Sequence, residues 1–243
     1  QIHSVNFNDW LQRPRLAAEL DTTQGGGIVY RQGPHIIDIV RFLGGGMVRN
    51  VRGTAGKGDQ NFDAYGHFNA LLEFDNGVTA SVAFNGYGYF DVTELTWGIG
   101  ESGFPQTDAR SFPGRQPRIK GPADPEVKSA VAQARGGEGN RDAATRRQPF
   151  FGLTIVLLEH GVLRQSPDGL YVYTEAGCEE VACASSGARE AELTELADAI
   201  HEGRQVFPDG RWGKATLEVC LAIMRSGQTG DMIELSSQVS APS

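Results

Sequence analysis

The chain has 243 residues, 40% of them hydrophobic and 21% charged, with a formal net charge of −8. That length and composition give a globular chain with a substantial core, as one large domain or two small ones, and the acidic balance argues against a general nucleic-acid partner. Three cysteines, Cys178, Cys183 and Cys220, form no CxxC pair; they read as reduced packing residues of an intracellular, cytoplasmic protein, no metal site is expected, and no apolar run approaches the roughly 20 residues of a membrane span.

Residues 1–8 alternate as a strand, and because Gln1 already stands in that pattern the chain is expected to be a piece of something longer. Arg13 to Thr23 reads as a short helix or polar loop. A glycine triplet, Gly25-Gly26-Gly27, then leads into the apolar run Ile28-Val29-Tyr30. Gly33-Pro34 opens an amphipathic helix over 34–43 with Ile36, Ile37, Ile39, Val40 and Leu43 on it, proline fitting a first turn that needs no N–H partner. Gly44-Gly45-Gly46 ends that helix. His35 therefore sits in a helical first turn, beside unpaired N–H groups and the positive end of the dipole, where imidazolium is disfavoured and the ring is suited to accepting a proton.

Downstream, 48–55 alternates as a strand. His67 to Phe74 and Val78 to Phe84, joined at Asp75-Asn76-Gly77, form the clearest hairpin, with Asn-Gly supplying positive φ angles. Phe90 to Trp97 is expected to be a further strand. Residues 152–158, 162–165, 169–175 and 178–184 give four more short strands. Two helices close the chain, Ala188 to Glu202 and Trp212 to Arg225. Hairpin-linked strands with helices gathered at the end predict an α+β domain: an open, mostly antiparallel sheet with helices on one face, over residues 1–243, and no doubly wound βα alternation. Residues 104–149 interrupt this order with a proline- and arginine-rich insertion carrying Arg110, Arg115, Arg118, Lys120, Lys128, Arg135, Arg141, Arg146 and Arg147, either a functional loop or contact arm or a solvated excursion. Gly98-Ile99-Gly100-Glu101-Ser102-Gly103 matches GxGxxG, but Phe104-Pro105 follows where a phosphate-binding helix is required, so the match is set aside.

Gly26-Gly27, Ile28-Val29-Tyr30, Gly33, His35 and Asp38 together resemble the signature of the glucose–fructose oxidoreductase/inositol dehydrogenase/MocA family: a glycine pair, an apolar run, Asp, any residue, Gly, any residue, His, two residues, Asp. The first aspartate is replaced by Arg31. The resemblance implies the C-terminal α+β domain of an NAD(P)-dependent oxidoreductase, with NAD or NADP bound mainly by a nucleotide-binding domain absent from these residues, as is the family's Glu-Lys-Pro segment. By that resemblance His35 is the catalytic histidine that moves the substrate hydroxyl proton. Asp38 either orients the imidazole or pairs with Arg41. Arg31 cannot act as a base, but its planar fork suits a carboxylate, and Arg13 and Arg15 lie upstream where they could converge on the same cleft beside Tyr30; the alternative for Arg31 is a structural ion pair. Trp10 either caps the cofactor or packs. Segments 13–16, 30–35, 146–152 and 209–215 resemble the branch that includes 4,5-dihydroxyphthalate dehydrogenases, which implies a carboxylated small-molecule substrate. The resemblance also implies a homodimer or homotetramer through the sheet, and a chain inactive by itself. Competing readings are a non-catalytic acid-binding or assembly domain, and a polyol or sugar dehydrogenase of the same family.

Overall fold

The computed structural model describes residues 1–105, 121–135, 143–183 and 188–242. Among the described residues nine strands form one sheet in the order β8-β7-β6-β5-β1-β4-β3-β2-β9. They are β1 (Ile2–Phe7), β2 (Val48–Gly56), β3 (His67–Phe74), β4 (Thr79–Asn85), β5 (Leu153–Leu158), β6 (Gly161–Ser166), β7 (Gly169–Thr174), β8 (Gly177–Ala182) and β9 (Ile233–Glu234). The β1–β4 pair is parallel and every other named pair antiparallel, so the sheet is open and mostly antiparallel, as expected. Helices are α1 (Ile28–Arg31), α2 (Gly33–Gly44), α3 (Pro125–Arg135), α4 (Ala188–Glu202) and α5 (Gly210–Thr229).

Strand alternation decides which side of the sheet is covered. Ile2, Phe68, Ala70, Leu72, Ala80, Val82 and Phe84 are buried under the helices, while the residues between them on β1, β3 and β4 are exposed or half-buried. α2 contributes Ile36, Ile37 and Val40 to this core, each 0% exposed, and burying such a side chain is worth roughly 1.5–3 kcal/mol. α5 adds Trp212, Ala215, Val219, Cys220 and Ile223 from its own apolar stripe. The Asp209 carboxylate caps α5, accepting the amides of Arg211 and Trp212 at 2.9 Å each.

Three expectations need correction. Residues Val92–Leu95 form a 3₁₀ turn in place of the expected 90–97 strand. The cause is local: Asp91 accepts the amide of Thr93 at 3.0 Å and its hydroxyl at 2.7 Å, so an Asx turn outcompetes the sheet ladder. The hairpin at 75–77 is a three-residue loop, with the Phe74 amide donating to the Val78 carbonyl, and Gly77 alone in it has positive φ, at 84°. Of the helices expected on one face of the sheet, α4 leaves its apolar residues open, with Leu193 67% and Ile200 70% exposed.

Much of the 104–149 insertion, including Arg110, Arg115, Arg118, Lys120 and Arg141, lies outside the described residues. Its helix α3 is tied back by Lys128 Nζ to Glu19 Oε2 at 2.7 Å. Partial burial pushes the Glu19 pKa up, yet Lys128 and the Leu16 amide outweigh it and hold the carboxyl below its ordinary range.

Candidate functional site

The elements place one group of chemistry-bearing side chains at a single end of the sheet. α2 ends beside the hairpin, where Asn76 Nδ2 donates to the Gly44 carbonyl at 3.0 Å, so its N-terminus points to the opposite end, where β1 and β4 finish and β5 begins. His35 stands there in the first turn of α2. Glycines make that approach possible. A Cβ on Gly26 would fall 2.4 Å from the Ala18 carbonyl oxygen, and one on Gly27, whose φ is +84°, would fall 2.8 Å from the Tyr65 carbonyl oxygen. They clear backbone for the α1–α2 entry.

The His35 ring is exposed, and Phe151 lies against it with ring centroids 5.2 Å apart at 52°. Arg31, four residues earlier across the break at Gln32, is also exposed. Among the described residues neither the imidazole nor the Arg31 guanidinium has a hydrogen-bond or ion-pair partner. Tyr30 is half-buried against the core.

Asp38 engages deeper in the fold. Its carboxylate accepts the Trp212 indole N–H and the Thr216 hydroxyl, the latter at 3.1 Å; no hydrogen bond joins it to His35. Arg41 lies below, stacked 3.9 Å from the Trp212 ring centroid. Burial lowers the Arg41 pKa to about 10, against the opposing charges of Asp38 and Glu218.

The upstream arginines are compensated inside the fold. Arg13 Nε meets Asp9 Oδ1 at 2.7 Å; burial would lower its pKa, but Asp9 and Glu101 raise it further. Arg15 donates to the Trp10 carbonyl at 3.1 Å, faces Glu19 at 3.8 Å, and stacks 4.0 Å from the Trp10 ring centroid. Trp10 is 2% exposed, so the indole face that a cofactor ring would need is covered. Of the three arginines, Arg31 alone combines exposure with an uncompensated guanidinium among the described residues.

Sequence reasoning passed over Phe151. Its signal was present in Phe150-Phe151-Gly152, but nothing local says which of two adjacent phenylalanines faces the site. The set-aside Gly98–Gly103 run passes through turns, with no strand–turn–helix phosphate cradle there. Elsewhere, His67 Nδ1 and the Tyr87 hydroxyl lie 2.7 Å apart; burial, with help from Asp59, pushes that phenol up to about 12. Among the described residues no helix is long and apolar enough to cross a membrane.

Comparison with known proteins shows what the chain is similar to in sequence and fold. Residues 1–96 match the family model described as the GFO/IDH/MocA C-terminal domain. The 1-carboxy-3-chloro-3,4-dihydroxycyclohexa-1,5-diene dehydrogenase of Comamonas testosteroni is 32% identical over 234 residues, covering 93% of this chain and 58% of that protein. A solved structure from Bordetella bronchiseptica RB50, assigned as a dehydrogenase, superposes with a TM-score of 0.79 at 33% identity, covering 96% of this chain and 61% of that one. Levoglucosan dehydrogenase in complex with NADH shares the fold at 14% identity, with a TM-score of 0.62 over 97% of this chain and 58% of its own. The chain thus spans about three fifths of these relatives' lengths, 58–61%. In its sheet, in the residues around His35 and in these matches, the chain is similar to the GFO/IDH/MocA oxidoreductases, residues 1–96 to the family's C-terminal domain.

Proposed function

We propose that this chain is the substrate-binding and oligomerisation part of an NAD(P)-dependent dehydrogenase acting on a hydroxylated, carboxylated ring of the dihydrodiol or dihydroxyphthalate type. One observation carries the reading: a guanidinium, Arg31, and an imidazole, His35, both exposed and without a side-chain partner among the described residues, stand four residues apart across the α1–α2 break. The Comamonas relative, by its name, acts on a carboxylated dihydroxycyclohexadiene, which supports an anionic ring over a neutral sugar.

NAD or NADP is assigned to a separate domain of the whole protein, where it would supply the hydride chemistry. The part played by this chain is proton and charge handling. Arg31 grips the carboxylate through its fork, fixing the ring so that a hydroxyl meets His35. His35 accepts that hydroxyl proton as the carbon is oxidised, and returns it in the reverse direction. Tyr30 flanks the pair. The bare face of the sheet, with Val5, Leu71 and Ala83 on it, packs against a second copy of the chain; Leu71 is 45% exposed there.

The test is steady-state turnover by the protein that joins this chain to its nucleotide-binding domain. Replacing His35 by Ala is expected to lower kcat by about 10²–10⁴-fold, the usual yield of a positioned acid–base group. Arg31→Ala is expected to raise KM for a carboxylated dihydrodiol about tenfold or more while leaving neutral polyols unaffected. Equal use of neutral polyols, together with a silent Arg31→Ala, would overturn the assignment.

A further inference from the structure

The aromatic rings behind His35 are arranged as a continuous support. Phe68 and Phe84 stack at 6.1 Å and 24° inside the core, Phe84 meets Phe151 at 6.1 Å and 46°, and Phe151 meets the imidazole at 5.2 Å and 52°. Each separation lies in the range over which aromatic rings attract. Phe68 is 0% and Phe84 1% exposed, whereas Phe151 is half-buried, so the stack runs from the core to the open end where Arg31 and His35 lie.

Two neighbours pin Phe151 in that role. Phe150 is buried to 2% and sends its ring the other way, to Trp97 at 6.1 Å, while its amide donates to the Gly100 carbonyl at 3.0 Å. Gly152 turns the chain at φ +85°, where a Cβ would stand 2.3 Å from the Val5 carbonyl oxygen, so no other residue fits without shifting β1. The backbone is therefore fixed on both sides of Phe151, and its ring has a rigid backing.

From this geometry we infer that Phe151 is a specificity-determining residue: its ring forms the wall on which a planar, unsaturated substrate ring lies beside His35, and it selects a flat cyclic acid over a saturated one of the same charge. This rests on the proposed function above and adds the shape of the substrate to its charge. A cyclohexadiene ring is nearly flat and can lay its unsaturated edge on an aromatic face; a fully saturated ring, puckered into a chair, loses that contact. Arg31 reads the carboxylate, and Phe151 reads planarity.

The test titrates the protein that joins this chain to its nucleotide-binding domain with phthalate and with cis-cyclohexane-1,2-dicarboxylate, following the His35 ring protons by NMR, for the native sequence, Phe151→Leu and Phe151→Tyr. The native chain is expected to bind phthalate about three- to tenfold more tightly than the saturated diacid. Phe151→Leu is expected to erase that preference, and to remove the ring-current shift on the His35 protons, with the saturated diacid bound as before. Phe151→Tyr retains an aromatic face and is expected to keep the preference, which separates ring stacking from a general loss of folding, since misfolding would weaken both diacids together. A preference unchanged in Phe151→Leu, or lost equally in Phe151→Tyr, overturns the role of Phe151 and leaves the anionic-ring reading standing. Binding of neither diacid by the native chain overturns both.

Discussion

The guanidinium of Arg41, 0% exposed, directs all five of its N–H groups at acceptors. Nε donates to Gln238 Oε1 at 3.0 Å, one terminal nitrogen to the Trp212 carbonyl at 3.2 Å and Thr216 Oγ1 at 2.8 Å, and the other to the carbonyls of Gly46 at 3.1 Å and Val239 at 3.2 Å. One side chain thereby ties α2, α5 and the C-terminal tail into a rigid unit beneath His35. A lysine has three donors on a single point and cannot span that set. Arg41→Lys is expected to cost about 2 kcal/mol or more, because several buried acceptors lose their donors, read as a shift in urea midpoint. An unchanged midpoint would show that the network carries no stability. From the sequence Arg41 was legible only as a charge three residues after Asp38. Four of its five partners lie 171 to 198 residues away, and no local pattern encodes contacts at that separation. The same limit applies to Phe151, whose neighbour His35 belongs to a segment far away in the chain.

Among the elements, agreement followed the strength of the local signal. α2 runs Gly33–Gly44 against an expected 34–43, because proline at its start and glycines at its end act within one turn. β5 to β8 fell within one residue or two of expectation, since turn residues punctuate them. Residues 90–97 misled because β-branched and aromatic residues favour a strand while Asp91 caps a turn, and the shorter-range hydrogen bond prevails. The link between α4 and α5 carries a pH prediction. The Arg204 side chain, joined by the Phe207 amide, lowers the Glu195 pKa from the ordinary 4.5 to about 2. A depressed folded-state pKa means the clasp contributes fully above pH 4.5 and is lost as pH falls toward about 2. Hydrogen exchange at the Phe207 amide, which donates to Glu195 Oε1 at 2.9 Å, is expected to quicken across that window relative to helical amides of α5. Glu195→Gln should remove the pH dependence; exchange that stays flat in the native chain would refute the clasp.

For the whole molecule the decisive feature is one-sided coverage of the sheet. α2 and α5 bury one face, and the other presents Val5, Arg52, Thr54, Asn69, Leu71, Ser81 and Ala83. The proposed assembly through this face predicts that Leu71→Arg converts an oligomer into a monomer, measured by sedimentation, while the fold remains intact because Leu71 is 45% exposed. A native chain already monomeric at micromolar concentration would refute it.

The sequence by itself determined what is written at short range: the α+β class, most strand and helix limits, the glycine clearances before α2, and the family signature around His35. Tertiary structure alone decided which charges are satisfied. Arg13, Arg15, Arg31 and Arg41 are equivalent on paper. Only packing shows that Asp9 and Glu19 compensate the first two, that acceptors from α5, Gly46 and the C-terminal tail surround the last, and that Arg31 is left exposed, as His35 is. The physical reason is that burial and ion pairing depend on distances between segments far apart in the chain, whereas periodicity and capping depend on distances within one turn.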